Sequence, residues 1–131
     1  MSLRSLAYLA AALSLGASVC AFGADEAARG HTVFEQWCVA CHGEGPGHPG
    51  TGALAVKYHG TKPALLEQRT DLTPAIIKFY VRNGYSIMTP FRKTEITDAQ
   101  LDALAAYLSN AGRAAGRGGA ARAAAKGQGS G

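Results

Sequence analysis

The sequence predicts an all-α domain. Apolar residues recur at helical spacing in several segments, and two segments open on helix-capping signatures. No stretch alternates apolar and polar residues as a half-buried strand would. At 131 residues the chain is long enough for one domain with one modest core.

The first residues read as an export signal and not as part of that core. Met1-Ser2-Leu3-Arg4 is a short positive start, and Ser5 to Val19 is an apolar run rich in Ala and Leu. Ala21-Phe22-Gly23 then places small residues at the minus-three and minus-one positions for cleavage before Ala24. The run is shorter than the roughly 20 residues a spanning helix needs, so a stable membrane span is not expected. Cys20 does not read as a lipoprotein cysteine, because bulky Val19 precedes it where a small residue is usual. The expected organisation is a signal peptide over 1–23, a folded domain over 24–111 and a tail over 112–131.

Cleavage would remove Cys20, leaving Cys38 and Cys41 in an oxidising compartment, the periplasm. It also changes the meaning of the charge. The whole chain carries a formal +4, but residues 24–112 hold eight Lys or Arg against nine Asp or Glu. The basic excess belongs to Arg113, Arg117, Arg122 and Lys126, in a tail without acids, so it does not make the domain a nucleic-acid binder.

The first mature helix is expected from Asp25 to about Gln36. Gly30 lies inside it, at a cost of about 1 kcal/mol against alanine, which points to a close backbone contact there with Phe34 beside it. Gly43 to Gly60 carries six glycines and two prolines, Pro46 and Pro49, and reads as a loop without regular structure. A short helix is expected over Pro63–Arg69. Thr73-Pro74 opens another, with Thr as cap and Pro at the first helical position, and Gly84 closes it. Tyr85 to Lys93 is a second loop, holding Met88, Pro90 and Phe91. Thr97-Asp98-Ala99-Gln100 is a capping box, and Leu101, Leu104, Ala105 and Leu108 carry the last helix to about Asn110. Gly112 to Gly131 has no large apolar residue and is expected to be disordered.

The chemistry centres on Cys38-Val39-Ala40-Cys41-His42. This C-x-x-C-H pattern is the form of a c-type haem attachment site, in which two thiols meet two vinyl groups and the histidine meets the iron. A second axial ligand must come from the other face, and a methionine thioether there raises the potential. Apart from Met1 the chain has one methionine, Met88. His31, His48 and His59 are the rival ligands, His59 the foremost. Two other readings use the same residues. A structural zinc site would want four protein ligands where only Cys38, Cys41 and His42 cluster. A dithiol oxidoreductase would want its cysteine pair beside a strand, and none is predicted.

These residues resemble a class I c-type cytochrome. The resemblance rests on Gly30 and Phe34, the C-x-x-C-H site, the glycine-rich loop, the Met88 loop and a final helix with Leu104 and Tyr107, and covers roughly Asp25 to Ala111. It implies a cytochrome c fold of three to four helices around one haem, with the first and last helices crossing through Gly30, Phe34 and Tyr107. It implies one covalent haem c, attached through Cys38 and Cys41, with His42 and Met88 on iron. It further implies a proline carbonyl orienting the histidine, with Pro49 placed first and Pro46 second. One departure is that proline follows methionine directly in much of the family, whereas here the order is Met88-Thr89-Pro90. Val81-Arg82-Asn83-Gly84-Tyr85, followed by Met88 and Phe91, is also similar to the cytochrome subunits of flavocytochromes such as p-cresol methylhydroxylase and eugenol hydroxylase. That likeness implies an FAD-containing dehydrogenase subunit, oxidising a 4-alkylphenol, as redox partner. The expected role is an electron carrier and not an enzyme, with no catalytic residue. Arg82, Tyr85 and Lys93 are candidates to reach the haem propionates.

Overall fold

A computed structural model describes residues 16–127, with side chains described over 25–118. The described residues form five α-helices and one short 3-10 turn: α1 (Gly16–Trp37), α2 (Val39–His42), α3 (Pro49–Tyr58), the 3-10 turn (Leu66–Gln68), α4 (Pro74–Asn83) and α5 (Asp98–Gly127). No strand occurs among them; Tyr85 and Met88 form a single isolated antiparallel bridge. The all-α expectation holds, with five helices where three to four were expected.

The capping signatures act as read. Thr73 Oγ1 accepts the Ile76 amide at 3.3 Å, with Pro74 at the start of α4. Gly84 ends that helix at φ 69°, and its amide donates to the Tyr80 carbonyl. At α5, Thr97 Oγ1 accepts the Gln100 amide at 3.2 Å while Gln100 Oε1 accepts the Thr97 amide at 2.9 Å. Each pairing satisfies amides that a helix start leaves orphaned.

The core is where α1, α4 and α5 meet. Val33 and Phe34 from α1, Ile77 and Val81 from α4, and Leu101, Leu104, Ala105 and Leu108 from α5 are buried together with Ile96. Gly30 brings α1 against α5: a Cβ there would overlap the Ala103 carbonyl oxygen and come within 2.5 Å of Tyr107 Cβ. Phe34 lies 6.0 Å from the Tyr107 ring, centroid to centroid. The close contact expected at Gly30 is therefore present. Tyr107 also donates to the Glu67 carboxylate, joining α5 to the 3-10 turn, and burial together with that carboxylate holds its phenol well above the usual range.

Four expectations are corrected. Residues 49–58, read as loop, are the helix α3. Pro49 suits the first helical turn, and the run Ala53-Leu54-Ala55-Val56 sustains what Gly50 and Gly52 weaken. Residues 63–69 hold only one 3-10 turn, because Pro63 and a single apolar pair cannot sustain a longer helix. The last helix does not stop near Asn110, and 112–127 are helical where a disordered tail was expected. Alanine is the best helix former, and Gly112 packs so closely that a Cβ would overlap the Arg69 carbonyl. Finally, α1 begins at Gly16 and not at Asp25. The rest of the expected signal, residues 1–15, lies outside the described residues. No helix among the described residues is long and apolar enough to cross a membrane.

Candidate functional site

The C-x-x-C-H residues occupy one turn directly after α1. The Cys38 amide donates to the Phe34 carbonyl at 2.8 Å, so the motif hangs from the last turn of a helix whose other face is core. The Cys41 and His42 amides both donate to the Cys38 carbonyl, at 3.0 and 2.8 Å. This winds the two thiols one turn apart and puts the imidazole at the exit. Both cysteines are free. Cys38 is partly buried, and burial, helped by the neighbouring Cys41 sulfur, pushes its thiol up to about 12. Cys41 is exposed.

His42 is held by packing. Gly50, in the first turn of α3, lies so close that a Cβ there would sit 2.8 Å from His42 Cε1 and 3.0 Å from Nδ1. Burial lowers the imidazole pKa. His42 Nδ1 is buried and has no hydrogen-bond partner. Neither Pro49 nor Pro46 supplies the expected carbonyl contact. Pro49 is the first residue of α3, and a helical carbonyl points along the axis toward the amide four residues on. What α3 contributes is a seat. His48 Nδ1 pairs with the Ala40 carbonyl at 3.2 Å, and Thr51 Oγ1 donates to the Gly43 carbonyl at 2.9 Å. Together they fasten the start of α3 to the motif.

Met88 sits at the tip of the loop after α4. It exchanges both backbone hydrogen bonds with Tyr85, at 2.9 and 3.0 Å, which makes the tip tight. Gly84 is required beneath it, since a Cβ would meet the Met88 carbonyl oxygen at 2.5 Å. Met88 packs on the same core cluster as Trp37, Cys38 and Val39. Trp37, just before the motif, meets Phe91, three residues after Met88, edge to face at 5.9 Å. Residues far apart in sequence are thus brought to one side of one core.

The rival histidines lie in other roles. His31 is on α1 with its ring edge-on to Tyr107 at 5.2 Å, at the helix crossing. His48 is tied to Ala40, and His59 caps α3 in a left-handed conformation. Of the side chains proposed for propionates, Arg82 is committed to the Phe91 carbonyl and to Asp98, and Lys93 is also bound to Asp98. Among the described residues no group of three or more His, Cys, Asp or Glu is placed to hold a metal ion, so the zinc reading gains no support.

Residues 25–108 match the family model described as cytochrome C oxidase, cbb3-type, subunit III. The chain belongs to this cytochrome c family. It is 33% identical over 92 residues to the cbb3-type cytochrome c oxidase subunit CcoP of Azospirillum sp. (strain B510). The match covers 68% of this chain and 30% of that protein, so the chain spans about a third of the length of this relative. No solved structure matches it.

As a member of this family the protein is a haem c electron carrier. Its residues fit a covalent haem on three observations. Two thiols stand one turn apart beside a buried imidazole with an unpartnered nitrogen. Gly50 and Gly84 remove the side chains nearest His42 and Met88. Val56 on α3, Ile76 and Phe79 on α4, and Tyr85 and Ile87 in the Met88 loop are left exposed, the last at 69%. Large apolar residues left uncovered in such number are unusual, and a large planar apolar group would cover those beside α3 and the Met88 loop. Sequence reasoning missed Gly50 as the seat of the histidine. Its signal was Pro49, which marks a helix start as readily as a loop.

Proposed function

We propose that the protein is a periplasmic single-haem electron carrier in which Cys38 and Cys41 attach the haem and His42 and Met88 take the two axial positions. The observation that carries this reading is the shared core: the C-x-x-C-H turn and the Met88 loop pack on one cluster and are linked by the Trp37–Phe91 contact. The haem supplies a one-electron couple. The Cys38 and Cys41 thiols would hold the haem covalently. The chain's own residues then set the environment. Gly50 fixes the His42 ring, the Tyr85–Met88 bridge and Gly84 fix the thioether, and the core excludes water behind them. With His42 and Met88 both on the iron, electron transfer and not oxygen chemistry would be the outcome, and the thioether would hold the potential high.

The likeness of Val81 to Phe91 to flavocytochrome subunits would make an FAD-containing, 4-alkylphenol-oxidising dehydrogenase the electron donor, but the comparisons lend that partner no support. The similarity to CcoP supports instead a place beside a cbb3-type oxidase.

The test is intact mass and absorption of protein matured with haem. The native chain should carry one haem's mass after denaturation, and Cys38→Ala/Cys41→Ala should carry none. Haem-free native protein would overturn the reading. Co-purification with stoichiometric FAD would decide for the dehydrogenase, and with a haem–copper oxidase for the second partner.

A further inference from the structure

Beyond the two thiols and two axial ligands, the structure gathers a cationic cluster at the far end of α3. Tyr58, at that end, has the Arg69 guanidinium over its ring at 4.6 Å and Lys62 at 5.6 Å. Lys57 lies 5.7 Å from the same ring and 4.8 Å from the ring of Tyr85. One carboxylate, Asp71, serves two of these three cations. Asp71 receives Arg69 through two hydrogen bonds, at 2.7 and 2.8 Å, and Lys62 at 2.6 Å. Arg69 and Lys62 hold the Asp71 carboxyl well below the usual carboxylate range. The neighbouring Glu67 is turned to Tyr107. Lys57 has no acidic partner among the described residues. Three positive charges against one negative leave the cluster at +2.

Its position is what gives this excess a use. The first turn of α3 touches His42 through Gly50, and the last turn reaches Tyr85, the backbone partner of Met88. Seven residues of helix separate Gly50 from Lys57, about 10 Å at 1.5 Å per residue. The cluster therefore stands at the edge of the site away from the cysteine turn. A haem joined to protein through its vinyl groups presents its two propionates at the opposite edge. Arg82, Arg92 and Lys93, the other basic residues near the Met88 loop, face two carboxylates, Asp98 and Glu95, so that group carries an excess of only +1.

We infer that Lys57 and Lys62, held in place by Tyr58 and the Arg69–Asp71 pair, form the binding site for the two haem propionate carboxylates. This rests on the haem reading above. The fit is one of charge, a net +2 facing two carboxylates, with Lys57 free of any acid among the described residues and Lys62 sharing Asp71 with Arg69, and of chemistry, since ammonium groups on flexible stems can each donate to a carboxylate. Arg69 serves as the fixed support: it is buried, its guanidinium is occupied by Asp71, and its carbonyl is packed under Gly112 of α5.

The experiment compares haem-loaded native protein with Lys57→Gln, Lys62→Gln and the control Lys93→Gln, which removes an equal charge at the Asp98 pair. Denatured mass first establishes that haem is attached in each; its absence from the native chain would count against the haem reading and not against this site. Reduced-minus-oxidised infrared spectra then read the propionate carboxylate bands, and titration reads the midpoint potential. Lys57→Gln and Lys62→Gln should each move the carboxylate bands and lower the potential, because a lost cation disfavours the reduced iron. Lys93→Gln should leave the bands in place and move the potential less. Unmoved bands in both α3-end variants, or equal movement in Lys93→Gln, would overturn the assignment.

Discussion

The α1–α5 crossing and the C-x-x-C-H end of α1 are finished to different degrees. At the crossing, Phe34 and Leu104 are almost wholly buried, the Gly30 contact leaves no room for a methyl group, and Tyr107 has both a ring partner and a hydrogen bond. Where α1 leads into the C-x-x-C-H turn, two buried polar atoms, Trp37 Nε1 and His42 Nδ1, lack partners, and Val56 of α3 and Tyr85 and Ile87 of the Met88 loop stand exposed. Buried polar groups are ordinarily satisfied, and large apolar residues ordinarily covered. The crossing is complete as polypeptide, whereas the turn and loop are complete only with their cofactor. The scaffold and the site should therefore respond to different insults.

The largest effect is expected at the crossing. Gly30→Val would drive a branched side chain into the Ala103 carbonyl and Tyr107, and overpacking of this kind costs roughly 3 kcal/mol or more. Urea unfolding should show that loss in both haem-loaded and haem-free protein. A loss confined to the loaded form would break the distinction between the two regions.

A smaller effect is expected where the scaffold meets the open side. Asp71 is joined to Arg69 and Lys62, and is itself partly exposed, so Asp71→Asn should cost only about 1 kcal/mol at neutral pH. The sign of its pH dependence follows from the lowered pKa. Stability from this carboxylate is full above the unfolded value near 4 and is lost as pH falls below it toward the folded value. The difference in unfolding free energy between native protein and Asp71→Asn should therefore shrink on acidification. A constant difference from neutral pH to pH 2 would show that the ion pairs contribute nothing.

This contrast also explains what was legible in the sequence. Gly30, Thr73-Pro74, Gly84 and the Thr97 capping box were readable because each acts through its own neighbours or through a spacing that only one helix geometry satisfies. The pairing of the C-x-x-C-H turn with Met88 is an expectation from chemistry and counting, and both pack on one core cluster. α3 was not readable, since Gly50 and Gly52 look like loop residues until His42 is seen against Gly50. The helical continuation past Asn110 was hidden by its glycines, although the contact of Gly112 with Arg69 gives one of them a packing reason. The Lys57–Lys62–Arg69 cluster was invisible because it depends on tertiary placement around Tyr58.

The central claim is that Met88 completes from the far side a haem site begun by Cys38, Cys41 and His42. The most direct measurement is the ferric absorption spectrum of haem-loaded protein, read at the weak far-red band that a methionine sulfur on haem iron produces. The band should be present in the native protein and lost in Met88→Ala, with covalent haem retained in both. A native protein without the band, or a Met88→Ala variant that keeps it, would rule out Met88 as the second ligand.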